Sequence, residues 1–439
     1  MPYPATVNML STLLYFFLKK FSAAVIRKYH PAVIGITGSV GKTSAKEAIR
    51  TVLESHFDVR ASTKNYNNQA GVPLTIIGAT KTPGRSVAGW MKVFAKALRL
   101  LVIRDDRYPK MLILEMGADR PGDIKYLTDM APCAVGVLTA ISHAHTEFFK
   151  TIKKIAQEKR IIISHLRRDG FAVLNFDDEL VMENAGVTKA AVLTYGLKEG
   201  AAIRATDVNV LFDDSGWRPV GLNFKVHYKG NVVPVFLPGA LSESFIPAAL
   251  AAIAVGSIFG VNLVSAAESL RQFAPLPGHL RLIPGIKNTL IIDDTYNSSP
   301  AAAKAALETL AGIPAPADAE RWAILGDMLE LGPETEAAHR EIGFKAAELG
   351  IDCLVTVGEA SKITAAAARE AGLDEHRITR FDNSVAAGKF LQEQLGEGDV
   401  ILVKGSQGSR MEKIVKEVMA EPLRAKDFLV RQEEYWLKK

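Results

Sequence analysis

Cysteine is nearly absent. The 439 residues contain two, Cys133 and Cys353, far apart in apolar surroundings and without any C-x-x-C pair. That excludes a disulfide framework and a cysteine zinc site; it suits a reducing cytoplasm, with each thiol a buried packing residue. A membrane-spanning run is also missing. The N-terminal apolar stretch MLSTLLYFF (Met9–Phe17) falls well short of the about 20 residues needed to cross a bilayer. Its basic residues (Lys19, Lys20, Arg27, Lys28) follow it instead of preceding it, and no small-residue cleavage site is obvious, which argues against a secretory signal. Residues 9–28 read either as a basic amphipathic helix on the inner leaflet or as a helix packed on its own domain. No charge of one sign is concentrated: Lys+Arg total 53 against Asp+Glu 48, interspersed, for a net +5. No nucleic-acid partner is expected, and the mild excess suits an anionic ligand or an acidic membrane surface. There is no low-complexity tract or short-period repeat.

What is present is ordinary globular sequence, 48% hydrophobic and 23% charged, long enough for two or three domains. Past His30-Pro31 it alternates strand and helix. Ala32–Gly38, Lys110–Ala118 and Cys133–Ile141 are strands apolar throughout, the mark of a parallel sheet covered on both faces, and Ser44–His56 is a helix. Ala201–Pro238, with alternating apolar residues, Gly and Asn, predicts a small antiparallel insertion, followed by an alanine-rich helix Pro247–Gly256. A second α/β region begins near Pro277-Gly278, with strands in Thr289–Asn297, Arg321–Met328, Asp352–Glu359 and Asp399–Ser406. The expected layout is an N-terminal helix (1–30), an α/β P-loop domain with a parallel sheet (31–276) and a Rossmann-like α/β domain (277–439).

The chemistry-bearing motifs sit where these strands end, where open α/β sheets bind ligands. GITGSVGKTS (Gly35–Ser44) follows a strand and opens a helix, so Gly38, Ser39, Gly41, Lys42, Thr43 and Ser44 form a phosphate cradle of backbone N–H groups. Lys42 would reach the β/γ-phosphates and the Thr43 hydroxyl a Mg²⁺ ion. A strict P-loop has glycine where Ile36 stands. Glu115 ends an apolar strand and can coordinate the metal opposite the P-loop. His143 and His145 follow the third strand, one residue apart. Ile155–Arg160 reads as the start of a helix with Lys159 inward or nearby, although a lone lysine on a helix is usually on the surface. Asp293, Asp294, Tyr296 and Asn297 end a strand where acids can bind ribose hydroxyls or orient a cation. ILGDMLELG contributes Asp327 and Glu330, with His339 one or two turns on. LVKGSQGSRMEK sets Lys404, Ser406 and Arg410 on a Gly-rich loop suited to a carboxylate.

TGSVGKTS, KNYNNQAGVPLT (Lys64–Thr75), LEMGA, HAHTEFF, DDTYNSSP, ILGDMLELG and LVKGS, in this order, resemble the Mur ligase family. ILGDMLELG, DDTYN-x-x-P and NN-x-x-GVPLT resemble most the branch that adds D-alanyl-D-alanine to a muramoyl-tripeptide. The resemblance implies an ATP-dependent ligase of peptidoglycan precursor synthesis. ATP phosphorylates a substrate carboxylate, and an amine attacks the acyl phosphate to give an amide, ADP and phosphate. By the same resemblance Lys42 and Thr43 hold the phosphates and the first Mg²⁺, Glu115 ligates metal, and His145 joins a second metal site. Lys159 stands where the family carries a carbamylated lysine, an anion able to ligate Mg²⁺. Asn67 and Asn68 line the acyl-substrate side. Arg281, Asp294, Tyr296 and Asn297 face the nucleotide, and Lys404 and Ser406 bind the dipeptide carboxylate.

Three departures follow. The stretch before Ala32 is too short for the family's N-terminal domain that binds uridine diphosphate, so that domain is expected to be missing. SESFIPAALAA, from Ser242, puts Ser244 and Ala248 where the family has the His and Asn of its adenine-side helix. Lys159 is followed by Arg160-Ile161, where an acid is expected. Two alternatives stand beside the main reading: the same chemistry on another acyl or amine substrate, as in folylpolyglutamate or cyanophycin-type enzymes, or a non-catalytic scaffold that binds nucleotide.

Overall fold

The computed structural model describes residues 9–62, 66–79, 82–84, 86–142, 149 and 151–437, without the side chains of residues 9–11. They form two compact units. The first comprises Met1–Val208, Asn223–Phe236 and Glu243–Phe273; the second comprises Asn209–Leu222, Leu237–Ser242 and Ala274–Lys439.

The first unit holds β1 (Ala32–Thr37), β2 (Val59–Ala61), β3 (Met111–Glu115), β4 (Val135–Leu138), β5 (Phe171–Asn175) and β6 (Ala191–Gly196); the same sheet includes β7 (Ile203–Phe212), β8 (Pro219–Tyr228) and β9 (Asn231–Pro238), whose residues are divided between the two units. The strand order is β2-β3-β1-β4-β5-β6-β7-β8-β9. β1 pairs in parallel with both β3 and β4, so the direction of winding reverses between β1 and β4. Both faces are covered, which is why β3 and β4 are buried at every residue and read as unbroken apolar runs. The segment predicted as a small antiparallel insertion joins this sheet, since β6 pairs in parallel with β7. Its hairpin character holds: Lys229 (φ 49) and Gly230 (φ 77) make the two-residue left-handed turn that joins antiparallel neighbours β8 and β9.

Helix α1 (Met9–Tyr29) packs on this unit. Leu18 and Val25 are fully buried, and Phe21 meets Phe94 of α4 (Val87–Val102) with ring centroids 5.7 Å apart. The Lys28 ammonium donates to the carbonyls of Leu100 and Leu101 at 2.8 and 2.9 Å, placing a cation on the negative end of α4.

The second unit contains β10 (Arg281–Pro284), β11 (Leu290–Asp294), β12 (Arg321–Gly326), β13 (Cys353–Val357), β14 (Ile378–Phe381) and β15 (Val400–Lys404), in the order β10-β11-β15-β12-β13-β14. β15 is inserted between β11 and β12, parallel to both. The winding therefore reverses between β12 and β15, which opens a crevice at their carboxyl ends.

Candidate active site

Everything at the P-loop follows from its glycines. Gly38 closes β1 beside Thr139, and a Cβ there would lie 2.0 Å from Thr139 Oγ1. Gly41 (φ 80) turns the chain into helix α2 (Lys42–Glu54). The loop is pinned from behind: Ser39 N–H donates to Ala140 O at 2.7 Å, and Thr139 Oγ1 donates to Val40 O at 2.6 Å. The helix begins two residues earlier than expected, directly at Lys42, so its unpaired N–H groups open at the loop itself.

Two lysines turn onto one carbonyl here. Lys42 Nζ donates to Gly38 O at 2.7 Å and to Ser39 O at 3.0 Å, and Lys159 Nζ donates to the same Gly38 O at 2.9 Å. Burial pushes both ammonium groups down from their ordinary range. The Lys42 charge pushes Lys159 further, to about 7, against the opposing pull of Glu158 and Asp119. Lys159 ends helix α6 (Ile152–Lys159) instead of starting one, because Thr151 caps that helix at its other end. The carboxylate expected after Lys159 lies just before it. Glu158 accepts N–H bonds from Gly122 and Ile124, both at 2.8 Å, at the start of helix α5 (Asp123–Met130).

Glu115 ends β3 opposite Ile36 of β1, level with the entry to the P-loop. It is 2% exposed. Its Oε1 accepts from Asn67 Nδ2 at 3.1 Å, while Oε2 has no hydrogen-bond partner among the described residues. Among the described residues the nearest cation to Oε2 is Lys46, 3.8 Å away and itself 3.2 Å from Glu47. A buried carboxylate oxygen without a donor is costly unless something else fills its lone pairs. Mg²⁺ needs this kind of donor set: one or two carboxylates, a hydroxyl and phosphate oxygens. His143 and His145 lie outside the described residues, as does Lys64. Asn68 Oδ1 accepts from the N–H groups of Ala70 and Gly71 at 3.1 and 3.0 Å, at the entry to helix α3 (Gly71–Ile77).

In the second unit the expected site residues are gathered at the carboxyl edge of the sheet, and Lys404 binds two of the others. Lys404 Nζ donates to Asp294 Oδ2 at 2.6 Å and to Asn297 O at 3.0 Å; it is 2% exposed. Ser406 Oγ accepts the Leu329 N–H at 2.9 Å. Asn297 Oδ1 accepts the Ser298 N–H at 2.9 Å. Tyr296 stacks on His279 with centroids 4.5 Å apart, and Arg281 lies over the Phe428 ring, 4.8 Å away. Asp293, fully buried, accepts from Gly278 N–H and from Thr295; burial raises its carboxyl to about 6. His339 Nε2 accepts the Met328 N–H at 3.1 Å, so Nδ1 carries the proton and donates to Thr335 O at 2.8 Å. That histidine holds the ILGDMLELG loop in place.

The open space lies beside these groups. A cavity of ≈ 560 Å³ sits at the carboxyl ends of β12 to β15, where Asp327, Glu359 and Asp382 face it together with Arg410 and Lys413. Lys404 and Ser406 are not among its lining residues. Arg410 (φ 52) is held there by Glu412 at 2.6 Å, and Arg431 pairs with the other oxygen of Glu412 at 3.0 Å. Glu412 lies in LVKGSQGSRMEK without standing out there, and Arg431 lies in no motif.

Comparison with known proteins gives a consistent answer. The family model described as the Mur ligase middle domain matches residues 94–256, and that described as Mur ligase, glutamate ligase domain, matches 280–407. The UDP-N-acetylmuramoyl-tripeptide–D-alanyl-D-alanine ligase of Bacillus subtilis is 29% identical over 409 residues, covering 92% of this chain and 80% of that protein. The ligase of the same name from Mycobacterium tuberculosis is 30% identical over 406 residues, covering 89% and 73%. Among solved structures, MurF from Acinetobacter baumannii superposes with a TM-score of 0.75 at 25% identity, covering 91% of this chain and 79% of that one. The MurF ligase of Thermotoga maritima in complex with ADP gives 0.74 at 25% identity, covering 92% and 83%.

Proposed function

This chain belongs to the Mur ligase family, and on that premise we propose that it joins D-alanyl-D-alanine to a muramoyl-tripeptide with ATP as the energy source. The observation that carries the reading is the P-loop. Two lysines converge on the Gly38 carbonyl, and a buried carboxylate oxygen at Glu115 has no hydrogen-bond donor among the described residues.

The chemistry follows from these groups. The N–H groups at the start of α2 receive the phosphates of ATP, and Lys42, released from its own loop, reaches the β/γ-phosphates. Thr43 and Glu115 would hold Mg²⁺, which supplies positive charge against the phosphate oxygens. The substrate carboxylate oxygen takes the γ-phosphoryl group, and ADP leaves. The dipeptide amine, having lost its proton, attacks the carbonyl carbon. The C–O bond to phosphate breaks, and an amide and inorganic phosphate result. Lys159 deepens the site's charge logic. With its ammonium held near pH 7, a good share of the side chain is a free amine, the form that adds CO₂ to become an anionic carbamate.

The incoming dipeptide is a zwitterion, and the second-unit cavity offers both signs of charge. Lys413 suits its carboxylate, while Asp327, Glu359 and Asp382 suit its amine. Lys404 and Ser406 then shape that loop from beneath. A scaffold without catalysis has no use for a buried carboxylate beside a P-loop.

The test is phosphate release by the purified protein with ATP, Mg²⁺, UDP-muramoyl-tripeptide and D-alanyl-D-alanine, omitting one component at a time. Release only when both acyl and amine substrates are present is expected. Release indifferent to the dipeptide would overturn the reading, and a preference for another amine in a substrate screen would reassign it.

A further inference from the structure

Helix α4 is apolar on two opposite faces. Val93, Ala97 and Leu100 are buried against the domain. On the other side Val87, Met91, Ala95, Leu98 and Val102 repeat every three or four residues as one stripe in solvent, with Val87 and Val102 each 74% exposed and Met91 67%. Helix α1 does the same: Leu13, Phe16 and Phe17 stand exposed on one face while Leu18 and Val25 are buried. The two helices run in the same direction, since Phe21 meets Phe94 and Lys28 meets Leu100 and Leu101. The exposed phenylalanines of α1 therefore lie level with the start of the α4 stripe.

Charge on this pair is of one sign. Neither helix contains an aspartate or glutamate, whereas Lys20, Arg27, Lys92 and Arg99 are exposed on them. Contiguous apolar side chains in solvent mark an interaction surface. Apolar stripes flanked by long basic side chains match a bilayer whose headgroups are anionic: acyl chains receive the stripe, and lysine and arginine reach up to the phosphates. Among the described residues no helix is long and apolar enough to cross a membrane, so the pair would lie along the surface. We propose that α1 and α4 together form a docking face for anionic phospholipid membranes. This goes beyond the ligase reaction and stands or falls separately from it.

Vesicle flotation of the full chain tests this, using phosphatidylcholine alone or mixed with phosphatidylglycerol, with Met91→Glu/Leu98→Glu and Lys92→Ala/Arg99→Ala variants. The wild type should float with the phosphatidylglycerol vesicles and much less with phosphatidylcholine alone. Each base removed should weaken partition about fivefold, and the glutamate pair should abolish it. Circular dichroism and ATP-dependent phosphate release, both expected to be unchanged, establish that the variants fold. Absence of flotation by the wild type, or flotation undiminished in correctly folded variants, would overturn the proposal. Self-association in sedimentation velocity that the same variants abolish, without lipid binding, would overturn it too and assign the face to a second copy of the chain.

Discussion

Lys159 and Lys404 are both buried lysines at the carboxyl edge of a parallel sheet, and they are treated in opposite ways. Lys404 lies 2.6 Å from the Asp294 carboxylate and donates also to a carbonyl. Lys159 has one hydrogen bond among the described residues, to a carbonyl it shares with Lys42. The contrast extends to their neighbours. Around the P-loop, Glu115 keeps an oxygen without a hydrogen bond among the described residues, and two cations crowd one acceptor. In the second unit Glu412 is paired with two arginines, and both nitrogens of His339 are engaged. Charges that a protein satisfies internally hold its loops in shape. Charges it leaves unsatisfied, at a cost in stability, are reserved for something that arrives. On the proposed reading, the first unit would receive phosphate and cation, and the second presents a shaped cavity.

The contrast breaks most visibly at Asp294. Asp294→Ala leaves Lys404 buried without its counter-ion and should cost about 3–5 kcal/mol in denaturant unfolding. A loss of turnover with no loss of stability would instead make Lys404 a substrate group. Lys42→Ala should do the reverse. It removes no ion-paired partner, so the melting temperature should hold, while phosphate release falls by about 10²–10³-fold. Equal loss of stability would show that the loop needs the lysine to fold.

Lys159 sharpens the comparison through pH. Its folded pKa, about 7, is below the ordinary lysine value of 10.5. Between the two, the unfolded chain holds the proton and the folded chain does not, so stability rises with pH across that window. The full burial cost remains below about pH 7. The reactive neutral form grows about tenfold between about pH 6 and 8. Turnover should rise over the same range and fall when bicarbonate is stripped from the buffer. Lys159→Met should erase the corresponding stability slope; a wild-type pH–activity profile flat across that range would remove the lysine from the chemistry. The smallest effect is expected at Asn68. Asn68→Ala should lose the hydrogen bonds at the entry to α3, worth about 1 kcal/mol, while the acyl substrate's KM stays put, and a raised KM would restore a substrate role.

What the sequence disclosed follows the same division. The strands around Gly35, Leu114 and Val137 were legible because a two-sided parallel sheet demands unbroken apolar residues. The P-loop was legible because its glycines and Lys42 are fixed by local backbone geometry. Residues whose role depends on a distant partner were not. Lys404 reads as a free cation until Asp294 is placed beside it, and Arg431 reads as a tail charge until Glu412 meets it. That Asn68 Oδ1 holds the entry to α3 likewise shows only once the fold is in place. β7 to β9 read as an insertion because alternating residues reveal a strand with one exposed face, not the strand it pairs with.

The central claim is that the Glu115 oxygen and the lysines above it await a metal-bound triphosphate. Equilibrium dialysis of ATP against the wild type and Glu115→Gln, with and without Mg²⁺, addresses it directly. The wild type should retain ATP strongly only when Mg²⁺ is present, and the variant should lose most of that dependence. Retention by the wild type that is equal with and without Mg²⁺, or no retention at all, would contradict the account.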